Sequence, residues 1–302
     1  MIRRFHEGSG DRATKSTIAV TMCDYSDFPL LKDEVPPKYN AELFRHYSAE
    51  NWPSKAGNGN GWMCGIRSRS QAVRFVEDGW SAGSSKGSGL SLDIQGTIEA
   101  VEALRRRPKW GEEGDEMDAD RALQGEWDVA FRELRTVRTN GSRIVRIVGP
   151  WGGHAGLGED QLFWTGVQMV VLCDLLEQAG YQTELSGMTC LRQYEDNVVT
   201  VSMVTGKEAG EPLRIDHMCA IFAHGGLFRT FGFEMVCLTE TPTQMSLGHV
   251  EHSLGQLQTT VEKMKAHGWL DKDAVVIGEA YDRETAIANI KSTLHAITGG
   301  AS

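Results

Sequence analysis

Ser142-Arg-Ile-Val-Arg-Ile-Val-Gly-Pro-Trp151, a glycine-rich turn, Phe163 to Gly180 and then Tyr181 to Leu191 together decide the fold class. Ile144, Val145, Ile147 and Val148 form an apolar run too dense for a half-exposed strand. Such a run suits the buried middle of a parallel sheet, and Pro150 ends it. From Phe163 onward, Val167, Val170, Val171, Leu175 and Leu176 recur at helical spacing, with Gly180 as a left-handed stop. Tyr181, Thr183 and Leu185 then alternate with Gln182 and Glu184, so the chain re-enters a strand. The unit reads as βαβ with a right-handed crossover. Open α/β sheets bind ligands beyond the carboxyl ends of their strands, which makes 149–160 the first place to look for a site.

Downstream, Val198 to Thr205 is rich in β-branched residues and reads as a strand. A helix is expected over 217–223, capped by Asp216, and a further short helix over 227–233 leading into a strand over 234–239. Thr243 to His267 has the pattern of a long amphipathic helix closed by Gly268. Ala274 to Ile277 is a short buried strand and Arg283 to Ile297 a terminal helix. This succession predicts an α/β domain over 141–302 with a mostly parallel, doubly wound sheet.

Upstream, residues 1–61 read as an irregular N-terminal arm with a short β-like piece at Thr17 to Met22. Its aromatics Phe28, Tyr39, Phe44, Tyr47 and Trp52 are anchors expected to dock on the protein's own body. Residues 62–140 read as a mainly helical region, with helices at Ser70 to Asp78, capped by Ser68 or Ser70 and stopped by Gly79, and at Leu92 to Arg107. Between them, Gly79 to Gly89 is a glycine and serine tract with one lysine. It lacks the spacing G-x-x-x-x-G-K-[ST] and reads as a flexible linker rather than a phosphate cradle. Glu112 to Asp120 reads as a solvated acidic turn, with Asp118 capping a helical piece at 119–123.

The 302 residues carry a formal net charge of −10, which argues against sequence-independent nucleic-acid binding by the whole surface. No window approaches the roughly 20 apolar residues that span a bilayer, and Met1 to Arg12 lacks the apolar core of a signal peptide. A cytoplasmic protein without a membrane partner is expected. The six cysteines include no C-x-x-C pair and several lie in apolar runs, so buried reduced thiols are expected.

Leu172-Cys-Asp-Leu-Leu-Glu-Gln-Ala-Gly-Tyr-Gln-Thr-Glu-Leu185, Pro212-Leu-Arg-Ile-Asp-His217 and Phe222-Ala-His-Gly-Gly-Leu-Phe-Arg229 resemble uncharacterised proteins of bacteriophages and bacteria. Those proteins have a von Willebrand factor A-like, Rossmann-like C-terminal half. Gly79-Trp-Ser-Ala-Gly83 and Gly114-Asp-Glu-Met-Asp-Ala-Asp-Arg121 resemble the upstream half of the same group. The resemblance implies a sheet with helices on both faces and, in A-type domains that bind magnesium, a D-x-S-x-S turn after the first strand. Here the matching turn is Gly149-Pro-Trp-Gly-Gly-His-Ala-Gly156, with neither aspartate nor serine. A hard cation needs oxygen ligands, so the metal site is expected to be degenerate and no cofactor is expected, magnesium included.

The candidate binding residues are Trp151, Gly152, Gly153, His154, Glu159, Asp160, Trp164 and Asp216, with no catalytic or metal-ligating set assigned. Glu159 and Asp160 also suit a helix start, and Asp216 a helix cap. His249 and His252 share a helix face and read as surface histidines, while His217 and His224 read as cap or core-edge residues. The expected function is a non-enzymatic protein-interaction or self-assembly protein, phage-encoded and virion-associated if the resemblance holds. The competing readings are a metal- or histidine-dependent hydrolase acting on a phosphate or nucleotide through His154, Asp160 and Asp216, and an RNA-binding ribonucleoprotein component using Arg132, Arg135, Arg138 and Arg143.

Overall fold

Ile144–Pro150 is an interior strand, paired in parallel with Gln182–Gln193 on one side and with Val275–Val276 on the other. The computed structural model describes residues 2–6, 17–50, 63–91, 94, 109–111, 116–117, 119–127, 130–133, 144–153, 156–193, 198–239 and 254–298. Six strands form the main sheet: β1 (Arg3–His6), β2 (Thr17–Asp24), β6 (Ile144–Pro150), β7 (Gln182–Gln193), β8 (Val198–Lys207) and β9 (Val275–Val276), in the order β1-β2-β8-β7-β6-β9. The sheet is mixed. β6 runs parallel to β7 and β9, and β2 parallel to β8, whereas β7 with β8 and β1 with β2 are antiparallel.

The piece Thr17 to Met22, expected as a fragment of an irregular arm, extends into the eight-residue strand β2. It lies inside the sheet, with Thr17 opposite Val198 and Asp24 opposite Thr205. Ile18, Ala19 and Val20 are all buried, because both faces of β2 are covered. Three further strands, β3 (Lys109–Gly111), β4 (Glu116–Met117) and β5 (Phe131–Glu133), make a small antiparallel sheet in the region expected to be mainly helical. Helices in the first half are α1 (Ala41–Tyr47), α2 (Arg69–Asp78), α3 (81–91) and α4 (Ala119–Leu123). Ser68 caps α2 by accepting from the Gln71 amide, and Gly79 stops it at φ +80°.

Most of the core lies on one face of the sheet, around α5 (Glu159–Gln178). This helix is apolar nearly all round, as a helix packed on every side must be. Against it lie α10 (Arg283–Thr298) and a long helical run made of α6 (Ile215–Met218), a π turn at Cys219–Ala223, α7 (Gly225–Leu227), a second π turn at Phe228–Gly232 and α8 (Phe233–Leu238). At the crossing, a β-carbon on Gly166 would stand 2.0 Å from the Phe222 carbonyl oxygen, so only glycine lets the two backbones meet. The opposite face is covered by α9 (Leu254–Ala266) through Leu257, Val261 and Met264.

The segment 234–239, expected as a strand, is a helix for all but its last residue. A run apolar but for Glu234 shows no period that would separate a buried strand from a buried helix. Here the run continues the helix that restarts at Gly225 after the extended residue His224, and every residue of α8 is buried. Of the expected helix over Leu92 to Arg107 only Ile94 is described, and the first part of 243–267, with His249 and His252, lies outside the described residues.

The N-terminal aromatics dock on the protein's own body as expected. Phe28 stacks on Phe231 at 4.5 Å and on Trp151 at 5.7 Å, Phe44 is buried, and Tyr47 meets Phe233 edge-on at 4.9 Å. Tyr39 is exposed, and Trp52 lies outside the described residues. The docking is locked by an ion pair between Arg69 on α2 and Glu234 on α8, at 2.6 and 3.0 Å, both buried. The same guanidinium donates to the carbonyls of Phe28, at 2.7 Å, and Pro29, in the 3₁₀ stretch Tyr25–Asp33. Burial pushes the Glu234 carboxyl up to about 7, against the lowering pull of Arg69.

Arg69→Met strands a buried carboxylate and is expected to destabilise the fold by about 3–5 kcal/mol. Adding Glu234→Leu should recover the larger part, short of what the Phe28 and Pro29 carbonyls lose. Urea denaturation of both variants checks this, and a double variant no more stable than the single one would contradict it.

Candidate functional site

The carboxyl end of β6 is closed by side chains. Trp151 is fully buried; its amide donates to the Met188 carbonyl at 2.9 Å and its indole Nε1–H to the Ile221 carbonyl at 2.9 Å. The Thr189 hydroxyl donates to the Trp151 carbonyl, and Phe228 meets the indole edge-on at 5.5 Å. Gly152, at φ +81°, leaves no room for a side chain, since a β-carbon there would lie 2.2 Å from the Phe228 ring. Gly153 is buried beneath Leu157 and Leu162.

Of the two readings open to Trp151, a docking surface and a closure of the core, the structure has the second, and Gly152 and Gly153 are packed beneath other side chains rather than presented to a partner. A tryptophan in a glycine-rich turn can close inward as readily as outward once a carbonyl is in place to take its indole proton, and Ile221 supplies one. His154 lies outside the described residues.

An exposed surface is built by α3 and the first turns of α5. Glu159 and Asp160 are exposed in the first turn of α5, where carboxylates complement the helix dipole. Lys86 on α3 reaches Asp160, with Nζ 2.5 Å from Oδ1, and stands 4.1 Å from the Phe163 ring centroid and 5.4 Å from that of Trp164. Trp164 is partly exposed and meets Phe163 edge-on at 5.0 Å. Asp160, Trp164 and Lys86 are thus neighbours on one surface.

Lys86 is the residue that sequence reading missed. The tract expected as a linker is a helix from residue 81, and its glycines are packing positions: a β-carbon on Gly87 would stand 2.5 Å from Val167 Cγ2. The signal that reveals it is Gly83, Gly87, Leu90 and Ile94, all buried, at helical spacing. Glycine and serine content masks that period because small residues carry almost no hydrophobic contrast.

Asp216 lies elsewhere. It sits in the first turn of α6, its carbonyl accepts from the Trp80 amide at 2.9 Å, and Arg214 rather than Asp216 occupies the cap position. Its side chain borders a cleft of about 330 Å³ between α3, α5 and α6, which Asp160 does not line. The structure therefore does not bring Asp160 and Asp216 into one pocket. Arg132 lies on β5, and Arg135, Arg138 and Arg143 lie outside the described residues.

All six cysteines are buried thiols outside any disulfide, as expected. Burial pushes the Cys173, Cys219 and Cys237 thiols up to about 12, which keeps them protonated. Among the described residues no three His, Cys, Asp or Glu side chains are grouped to hold a metal ion. No helix among the described residues is long and apolar enough to cross a membrane.

Residues 16–299 match a family model described as Domain of unknown function (DUF7192). The chain belongs to this family. No curated protein and no solved structure matches the chain. The DUF7192 match begins one residue before β2 and ends one residue after α10, so it takes in the docked aromatics and every strand of the main sheet but β1.

In this DUF7192 fold His224 is a core residue, as one reading of the sequence had it. It is wedged against Phe75 at 4.9 Å and Trp80 at 4.8 Å between ring centroids, and burial pushes its imidazole down to about 4 from an ordinary 6.5. Between those values the unfolded chain binds the proton that the folded chain refuses, so stability falls as pH drops through this window. The loss is about 3 kcal/mol by pH 4. Urea titrations should show the wild type losing stability relative to His224→Gln as pH falls from about 6.5 to about 4. Parallel curves would reject a neutral buried imidazole.

Proposed function

We propose that the protein is a non-enzymatic interaction and assembly module whose sheet is a degenerate relative of von Willebrand factor A-type domains, phage-encoded and virion-associated. The observation that carries this reading is the burial of Trp151. In A-type domains that bind magnesium, the turn after the first strand offers oxygen ligands. Here the corresponding turn places an indole among Phe28, Phe228 and the Ile221 carbonyl. An indole has no oxygen to give a hard cation, so the reading includes neither metal nor other cofactor.

The partner-binding surface is the one built by α3 and the first turns of α5: Glu159, Asp160, Trp164 and Lys86. A partly exposed tryptophan ringed by charges of both signs is matched by a second copy of the same surface turned through a two-fold axis, each lysine facing the other copy's carboxylates. Self-assembly is therefore the form of interaction proposed. The hydrolase reading loses its support because Asp160 is engaged by Lys86 and Asp216 belongs to a separate cleft.

Size-exclusion chromatography with light scattering tests the proposal. The purified chain is expected at a multiple of 33.3 kDa, and Trp164→Ala combined with Asp160→Lys is expected to return it to the single-chain mass. A wild-type chain that stays at 33.3 kDa at every concentration overturns self-assembly. In parallel, magnesium, manganese, zinc and nucleotides should leave the melting temperature unchanged, since a ligand held only by the native state must raise it. A rise with any of them overturns the non-enzymatic reading.

A further inference from the structure

Glu34-Val-Pro-Pro-Lys-Tyr39 joins two 3₁₀ stretches, Tyr25–Asp33 and Lys38–Asn40, and its residues 34–37 take neither helix nor strand. Glu34 stands at φ −75°, ψ 154° and Pro37 at φ −54°, ψ 146°, both in the polyproline II region. Val35 and Pro36 each precede a proline, which disfavours the helical region, and the ring of Pro36 holds its φ at about −65°. The segment therefore runs as polyproline II.

Both of its ends are pinned. Arg4 on the edge strand β1 donates to the Val35 carbonyl at 3.2 Å and to the Glu34 carboxylate at 2.9 Å. At the other end the Asn40 amide donates to the Pro37 carbonyl at 2.9 Å, and the buried Asn40 side chain donates to the Thr239 carbonyl at 3.3 Å. What the pinned segment turns outward is apolar. Val35 is 77% exposed and Tyr39 61%, with Pro36 and Pro37 partly exposed between them. The Pro36 carbonyl accepts no hydrogen bond among the described residues, and Lys38 is exposed with no carboxylate among them paired to it.

From this geometry we infer that 34–39 is a recognition segment for a partner protein with an aromatic-lined, acid-rimmed groove, its prolines laid across the rings, Tyr39 in an adjoining pocket and Lys38 facing the rim carboxylates. Polyproline II segments suit such grooves because prolyl rings are rigid and apolar. Their backbone, without internal hydrogen bonds, also turns carbonyls outward to donors such as an indole N–H, and the Pro36 carbonyl is placed to take one. Pinning by Arg4 and Asn40 means that little conformational entropy is lost on binding. Three residues after Pro36 stands Tyr39, and three after Pro37 stands Asn40, so the P-x-x-P spacing is missing. The groove must take a phenol where that spacing offers a second proline. The segment shares no residue with the surface proposed for self-assembly at Lys86, Asp160 and Trp164.

Titration calorimetry of the whole chain with a purified WW domain that carries carboxylates on its groove rim tests the assignment, with an SH3 domain as the reader of P-x-x-P spacing. The WW domain is expected to bind and the SH3 domain not. Pro37→Ala and Tyr39→Ala should each weaken the WW domain by about tenfold, as truncation of a central contact does. Lys38→Glu should weaken it by about threefold, a difference that high salt removes. Melting temperatures close to wild type show that the variants fold. In the wild type, the Val35 methyl and Tyr39 ring resonances should shift with the WW domain, a readout that needs no variant. Failure of the WW domain to bind, unchanged affinity in any of the three variants, or tighter binding of the SH3 domain overturns the assignment. Loss of the chain's own assembly in Tyr39→Ala overturns it too, since the occupant would then be a second copy.

Discussion

The guanidinium of Arg69 holds together parts of the chain that sequence keeps far apart. It pairs with Glu234 on the long helical run and donates to two carbonyls of the 3₁₀ stretch after β2. A charge this deeply buried is tolerated only when its donors are matched, and here four hydrogen bonds match them. Because the 3₁₀ stretch is held against α8, Phe28 reaches Trp151 and Phe231, and the indole has a wall to pack on. The closed exit of β6 is therefore a consequence of an ion pair formed by neither β6 nor its turn.

Closure at that point moves the chemistry outward and sideways. With the end of β6 and its turn filled, polar groups that can meet a partner lie on the helical layer, at Lys86 with Asp160. That place depends on α3 lying close to α5, and the closeness depends on Gly87 against Val167. Small residues in α3 therefore bring Lys86 down to Asp160.

Much of the central unit was legible in the sequence. β6, α5, β7, β8, α9 and α10 follow from periodicity and from Gly180 and Gly268, because each is longer than a turn and has one dominant spacing. The helix 233–238 was not legible, since six residues apolar but for Glu234 are too few to show a period, and neither was α3, whose small residues carry no contrast. The site was read less well than the fold. Asp160 and Trp164, singled out from their place after β6, lie on one surface, yet the inward turn of Trp151 depends on the carbonyl of Ile221, which lies 70 residues away. Lys86 meets Asp160 across 74 residues, a contact that no local pattern encodes.

β2 lies between β1 and β8, and its parallel partner begins at Val198, about 180 residues after Thr17. Contact order of this size slows folding, because the entropy of closing so long a loop must be spent before the pairing returns anything. During synthesis, Thr-Ile-Ala-Val-Thr-Met leaves the ribosome with β1 alone to pair on, and its parallel neighbour follows only when β8 has been made. One edge of this early strand thus waits for the second half of the chain.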